Sequence, residues 1–135
     1  MPSDFLDSNV LVYAFTDDPR TATARTLLVR GCTIGVQGLN EFVNVARRKL
    51  AHSWDEIRAA LAVIRDLSPI VVPIDLDTHE AALRLAERYG FAMFDALMVA
   101  TASKAGCTTL WSEDMQDGML IDGKLRIANP FRALG

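Results

Sequence analysis

Histidine and cysteine are scarce in this 135-residue chain, with two of each. Cys32 and Cys107 each follow a glycine near an expected strand start, with no Cys-x-x-Cys spacing and no histidine beside them. They read as buried structural thiols. With only His52 and His79 available, a zinc site or a histidine-based nucleophilic triad has almost nothing to build from. Long apolar runs are missing too: none approaches the roughly 20 residues of a membrane span. The start, Met1-Pro2-Ser3-Asp4, lacks the basic region and apolar stretch of a secretory leader, which leads us to expect a cytosolic protein. Nor is there an excess of basic residues. Lysine and arginine number 14 against 17 aspartates and glutamates, a net charge of −3. This argues against a protein that coats nucleic acid non-specifically and leaves room only for a local basic patch.

What is present is an ordinary globular composition, 50% hydrophobic and 23% charged, in a chain that fits one domain over residues 1–135. A chain of this size buries roughly two thirds of its unfolded surface and needs no covalent staples. With so little histidine and cysteine, the acids must carry any chemistry.

The segment Phe5 to Phe15 sets the problem. Phe5-Leu6 is apolar, Asp7-Ser8-Asn9 interrupts it, and Val10-Leu11-Val12-Tyr13-Ala14-Phe15 resumes it. A lone carboxylate in such surroundings is costly to bury unless something pairs with it or holds it at an edge. If Phe5-Leu6 is the first strand of a parallel sheet, Asp7 lies at its carboxyl end, where open α/β sheets bind their ligands.

Along the chain, Asp18-Pro19 reads as a helix start and Thr21 to Arg30 as the first helix, stopped by Gly31. Thr33 to Val36 reads as a second strand. Leu39 to Leu50 has apolar residues at helical spacing and places Glu41 in a first turn. Ser53 and Glu56 have capping-box spacing, opening a helix with the stripe Trp54, Ile57, Leu61 and Ile64. Ile70 to Ile74 reads as a third strand. Asp77 and Glu80 repeat the cap spacing for a helix closed by Gly90. A further helix is expected from Phe94 to Ala105, with Asp95 in its first turn. Thr108 to Trp111 is a fourth strand, Ser112 to Gly118 a polar loop, and Leu125 to Ile127 a short edge strand. The alternation predicts an α/β domain with a mostly parallel central sheet and helices on both faces.

On this plan four separated acids, Asp7, Glu41, Asp95 and Asp114, fall along the edge formed by the strands' carboxyl ends and the helices' amino ends. Each alone has a structural reading, since acids favour helix starts and turns. Together they repel and raise one another's proton affinity unless a cation neutralises them. Oxygen-only ligation suits Mg²⁺ or Mn²⁺ rather than zinc. Such an ion activates water and stabilises charge on a phosphate, so phosphodiester hydrolysis follows without a separate protein base.

The motifs Phe5-Leu6-Asp7-Ser8-Asn9-Val10-Leu11, Asn40-Glu41-Phe42, Phe94-Asp95-Ala96-Leu97 and Ser112-Glu113-Asp114 resemble, in order, the four acidic motifs of PIN domains. The resemblance spans nearly the whole chain, and within that family it is nearest to VapC-type toxins of toxin–antitoxin pairs. It implies a Mg²⁺-dependent ribonuclease held in check by a VapB-like antitoxin, and a homodimer. Asp7 and Asp95 would be the principal metal ligands, with Glu41 and Asp114 completing the pocket. Asn9 and Ser112 match supporting polar positions, and Asp117 would serve a second metal or cap the Gly118 turn. Glu113 adjoins Asp114, and the family's Ser-x-Asp pattern favours Asp114 as the inward acid.

Arg47-Arg48-Lys49 is the densest basic cluster. It reads either as a contact for RNA phosphates or as a basic last turn complementing the helix dipole. The Trp54 stripe reads as core, or as the wall of a groove for an antitoxin helix. Rival functions remain at this point. An aspartyl-phosphate phosphatase would want an aspartate where Asn9 stands, and a phosphate-accepting receiver domain would want a better-placed lysine than Lys104 or Lys124. The last rival is an RNA-binding PIN module without catalysis.

Overall fold

The structure, a computed structural model, describes residues 3–134. Its elements are β1 (Asp4–Leu6), α1 (Ser8–Ala14), α2 (Thr21–Val29), β2 (Thr33–Gly35), α3 (Val36–Arg48), α4 (Trp54–Leu67), β3 (Ile70–Val72), α5 (Leu76–Tyr89), α6 (Met93–Lys104), β4 (Thr109–Trp111), β5 (Leu120–Ile121) and β6 (Leu125–Ala128). A short 3₁₀ turn, Arg132–Leu134, follows.

The strands form one sheet in the order β3-β2-β1-β4-β6-β5. All neighbours are parallel except the β5–β6 hairpin. The expected mostly parallel α/β sheet is therefore present. The chain grows from β1 through β2 to β3 on one side, then returns to place β4 on the other side of β1. That reversal makes the β1/β4 boundary a topological switch point, where a crevice opens outside the strands' carboxyl ends.

Two apolar layers flank the sheet because alternate residues of each strand face opposite ways. Phe5, Leu110 and Ile127 pack against α5 and α6. Leu6 and Ile34 face a second layer containing Val10 and Leu11 of α1, Leu27 and Leu28 of α2, Phe42 of α3 and Ile57 and Ile64 of α4. Helix α6 is buried continuously from Ala96 to Ala102, so its sequence is apolar all round rather than striped.

Several boundaries differ from the sequence reading. The apolar run Val10 to Phe15, to which the sequence reading assigned no element, forms most of α1, capped by Asp7, which accepts a hydrogen bond from the Ser8 amide. The first helix after it, α2, starts at Thr21 with no side-chain cap, while Asp18 accepts from the Arg20 amide in the preceding turn. Helix α3 starts at Val36, directly after β2, which places Glu41 in its second turn rather than its first. The cap of α5 is Asp75, accepting from the Thr78 amide, and not Asp77. Leu125–Ala128 is not an edge strand, because it pairs with both β4 and β5. The Ser53–Glu56 capping box and the left-handed Gly90 at the end of α5 are as expected. Trp54 leaves the expected core stripe: it is 52% exposed, with the Arg47 guanidinium 4.5 Å above its ring.

Candidate active site

Asp7 occupies the end of β1 and the cap of α1 at once. Its amide donates to the Trp111 carbonyl, carrying the β1–β4 ladder one residue further. Its carboxylate accepts from the Ser8 amide at 2.6 Å and from the Ser112 hydroxyl at 2.6 Å. Ser112 is wholly buried and Asp7 is 6% exposed. Burial raises the Asp7 carboxyl above its ordinary range to about 6; the Ser112 and Ser8 donors pull it down, and the charges of Glu41 and Asp114 push it up.

Glu41 and Asp114 come close to Asp7 from separate elements, and Asp95 comes close to those two. The Ser8 hydroxyl has one proton to give. It lies 2.6 Å from Glu41 Oε2 and 3.3 Å from Asp7 Oδ1, so its donation goes to Glu41. Gln37, one turn earlier on α3, donates to the other Glu41 oxygen at 3.3 Å. The Asn9 amide reaches Asp114 Oδ2 at 3.2 Å and Asp7 Oδ2 at 3.5 Å. Asp95, in the first turn of α6, has its carboxyl raised by burial, then by Asp114 and Glu41, with no offsetting donor. The motifs quoted from the sequence therefore meet at the switch point.

Neutral donors hold Asp7, Glu41 and Asp114, and among the described residues no cation is paired with any of the four acids. The ion pairs among the described residues link Arg20 to Asp18 and Glu113, Arg30 to Asp4, Arg58 to Asp55, Arg88 to Asp122, Lys104 to Asp75 and Arg132 to Asp117. None includes Asp7, Glu41, Asp95 or Asp114. These four are the acids that a cation entering the site would meet. Among the described residues, no three such side chains already have the spacing of a formed ion shell; Ser8 and Asn9 stand between them as hydrogen-bonded spacers.

Glu113 turns away from the cluster. It accepts from the Tyr13 hydroxyl at 2.7 Å and from Arg20 Nε. Burial first, and then Glu113, push the Tyr13 phenol up to about 12, which keeps it a donor. Asp117 is also engaged elsewhere: it accepts from the Asn129 amide at 2.8 Å and from Arg132 at 2.7 Å, tying the loop to the chain after β6. Those bonds hold its carboxyl below the usual range.

Arg47, Arg48 and Lys49 are exposed at the end of α3. Arg47 is taken up by the Trp54 ring and the His52 carbonyl. Lys49 lines a groove of about 530 Å³ that also includes Asn9, Val12, Tyr13, Glu113 and Asp114. A second cavity, about 630 Å³ between α5 and α6, includes none of the four acids. Ser8, Gln37, Tyr13 and Arg20 were not singled out by sequence. Gln37 had a signal, its four-residue spacing from Glu41 on one helix face; Arg20 is 93 positions from Glu113 and had none.

The PIN domain family model matches residues 5–116, which include all four acids. The chain belongs to the PIN domain family. Solved structures share the PIN fold at low identity. VapC20 of Mycobacterium tuberculosis, described as a sarcin–ricin loop cleaving toxin, is 22% identical over 83% of this chain and 90% of its own, with a TM-score of 0.66. A toxin–antitoxin complex from Klebsiella pneumoniae is 21% identical over 95% and 98%, with a TM-score of 0.71. VapBC2 of Rickettsia felis, bound to a fragment of promoter DNA, is 18% identical over 93% and 97%, with a TM-score of 0.67. No curated protein matches the sequence significantly.

Proposed function

We propose that this PIN domain is a Mg²⁺-dependent endoribonuclease of the VapC toxin type, with Mn²⁺ as an alternative ion. In this reading it acts in the cytoplasm as a homodimer and is neutralised by a VapB-like antitoxin. The observation that carries it is the uncompensated charge of the site. Four carboxylates, from the end of β1, α3, α6 and the loop after β4, gather with no basic side chain among the described residues paired to any of them, and burial with mutual repulsion raises two of them. A hard divalent cation relieves that repulsion, and the all-oxygen donor set fits Mg²⁺ or Mn²⁺.

Asp7, Glu41, Asp95 and Asp114 would hold the ion. Ser112 and the Ser8 amide aim the Asp7 carboxylate, the Ser8 hydroxyl and Gln37 aim Glu41, and Asn9 aims Asp114. These donors are neutral, so they orient the acids without competing for their charge. When bound, a divalent ion supplies an acidified water and neutralises charge on the scissile phosphate. The groove from Asn9 to Lys49 reaches Asp114 and gives a strand a path to that side of the site, with Lys49 as a phosphate contact. Family membership and the toxin-like fold of the solved relatives support RNA as substrate and an antitoxin as partner. PIN membership also weighs against the receiver and phosphatase readings.

Expression in a bacterial host tests this reading. The wild type is expected to arrest growth and to leave new discrete RNA ends, and Asp95→Asn at equal abundance is expected to do neither. Growth arrest undiminished in Asp95→Asn would contradict it.

A further inference from the structure

Two acids sit side by side after β4: the Asp114 carboxylate accepts from the Asn9 side chain within the acid cluster, whereas Glu113 meets Asn9 only through its backbone amide, which donates to Asn9 Oδ1 at 3.5 Å. Glu113 is held on the other side by Tyr13 of α1 and by Arg20 of the α1–α2 connection. Arg20 is itself fixed from a third direction. Its Nη1 donates to Asp18 Oδ1 at 3.1 Å, its amide donates to the same oxygen at 2.8 Å, and its guanidinium lies 5.0 Å above the Tyr13 ring. The fork of an arginine serves two carboxylates at once with little loss of freedom, which a lysine cannot match.

We infer that Arg20 is a positioning residue for the acid site: by holding Glu113 against α1, it determines that Asp114 faces Asp7, Glu41 and Asp95. This rests on the metal-dependent nuclease reading above. Without Arg20, the Glu113 carboxylate keeps one hydroxyl partner and shares the groove with Asp18 and Asp114, with no ion pair among the described residues to balance it. Repulsion between like charges then drives Glu113 from its place. Asp114 is the next residue, so its direction goes with it, and Asn9 is left to hold the pair through the 3.2 Å contact to the Asp114 carboxylate and the 3.5 Å contact from the Glu113 amide. A freed Glu113 also becomes a competing donor for an ion. Sequence alone leaves the choice between the two acids to a motif pattern; the Arg20 contact gives it a physical cause.

The test is Mn²⁺ affinity by titration calorimetry, with cleavage kinetics, for the wild type, Arg20→Met, Arg20→Lys, Asp114→Asn and the Arg20→Met/Asp114→Asn double variant. Arg20→Met is expected to weaken Mn²⁺ about tenfold, as loss of a partner behind a metal ligand does, and to lower kcat with little change in KM. In the Asp114→Asn background the same change is expected to alter Mn²⁺ affinity less than about twofold, because its effect passes through Asp114. Arg20→Lys should recover part of the loss. Tyr13→Phe, which removes one donor and keeps the packing and charge, should give a smaller loss in the same direction and serves if Arg20→Met folds poorly.

An unchanged affinity with a raised KM would overturn the inference and make Arg20 a direct RNA contact. Equal losses in the two backgrounds would overturn it in favour of general destabilisation. A wild type that binds no Mn²⁺ would remove the nuclease reading and this inference together, whereas tight wild-type binding unaffected by Arg20→Met would remove the inference alone.

Discussion

Asp7 ends a strand, caps a helix and lies among three other acids, and these roles conflict when no cation is bound. Its carboxyl is raised from 3.8 to about 6, chiefly by burial. The folded protein therefore holds a proton on Asp7 that the unfolded chain has released, across the window from about pH 4 to pH 6. This group's contribution to stability is present below that window and is lost as pH rises through it, at a cost of roughly 2 to 3 kcal/mol once Asp7 is ionised. Asp95 shifts in the same direction. Metal-free Asp7→Asn is accordingly expected to be more stable than the wild type at pH 7.5, with the difference shrinking as pH falls through the window to pH 4.5, as read by urea unfolding at the two pH values. A variant less stable at pH 7.5 would show that the carboxylate is compensated after all.

At the same scale, the sequence already marked Asp7, Glu41, Asp95 and Asp114, because acids at strand ends and helix starts stand out, and the resemblance to the PIN motifs added Asn9 and Ser112. It could not mark Arg20 or Tyr13, whose contacts with Glu113 depend on folding across 93 and 100 positions. Asp117 shows the converse. The resemblance offered it a second metal or the cap of the Gly118 turn, and the fold engages it with Asn129 and Arg132.

Among the elements, the short helix α1 was the least legible. Val10 and Val12 favour a strand by propensity, and the run from Val10 to Phe15 shows no clear period. Packing decides for helix, because Val10, Leu11 and Ala14 become buried in the layer beneath α2 and α3. The start of α3 was missed for a related reason: Gly35 caps it with no side-chain bond, so no capping residue announces it. Gly35 is nonetheless constrained. A Cβ there would stand 3.3 Å from Phe5 Cζ and 3.3 Å from Thr101 Cγ2, both in the core. Gly35→Ala is expected to destabilise the fold by about 1 to 3 kcal/mol through overpacking, measured as a fall in urea midpoint with unchanged slope. A stability equal to wild type would mean that the β2–α3 junction yields more easily than its packing implies. In contrast, α4 was legible from sequence because its capping box and its buried Ile57 and Ile64 are all local signals.

Across the whole molecule, the alternation of strands and helices was enough to foresee a mostly parallel sheet, and with it an edge where distant acids meet. The strand order was not foreseeable, because nothing local reports that β4 returns to the far side of β1 or that β5 takes the edge beyond β6. That return creates the switch point and gives the acids their common site. If the site holds a divalent ion in the native state and the unfolded chain does not, Mg²⁺ stabilises the fold by mass action, by about 2.7 kcal/mol at a hundred times its dissociation constant. A thermal-melt titration at pH 7.5 is expected to show Tm rising with Mg²⁺ in the wild type and not in Asp7→Asn. The gain should shrink below pH 6, where protons compete for the same carboxylates.

Cleavage of a mixed cellular RNA pool by the purified protein, freed of any co-purifying antitoxin, tests the central claim most directly. The arms are Mg²⁺, Mn²⁺ and chelator for the wild type, and Mg²⁺ for Asp7→Asn. Discrete fragments that form with either ion, disappear with chelator and are absent in Asp7→Asn are the expected result. Fragments that persist in chelator or in the variant, or a wild type that binds Mg²⁺ and cuts nothing, would contradict it.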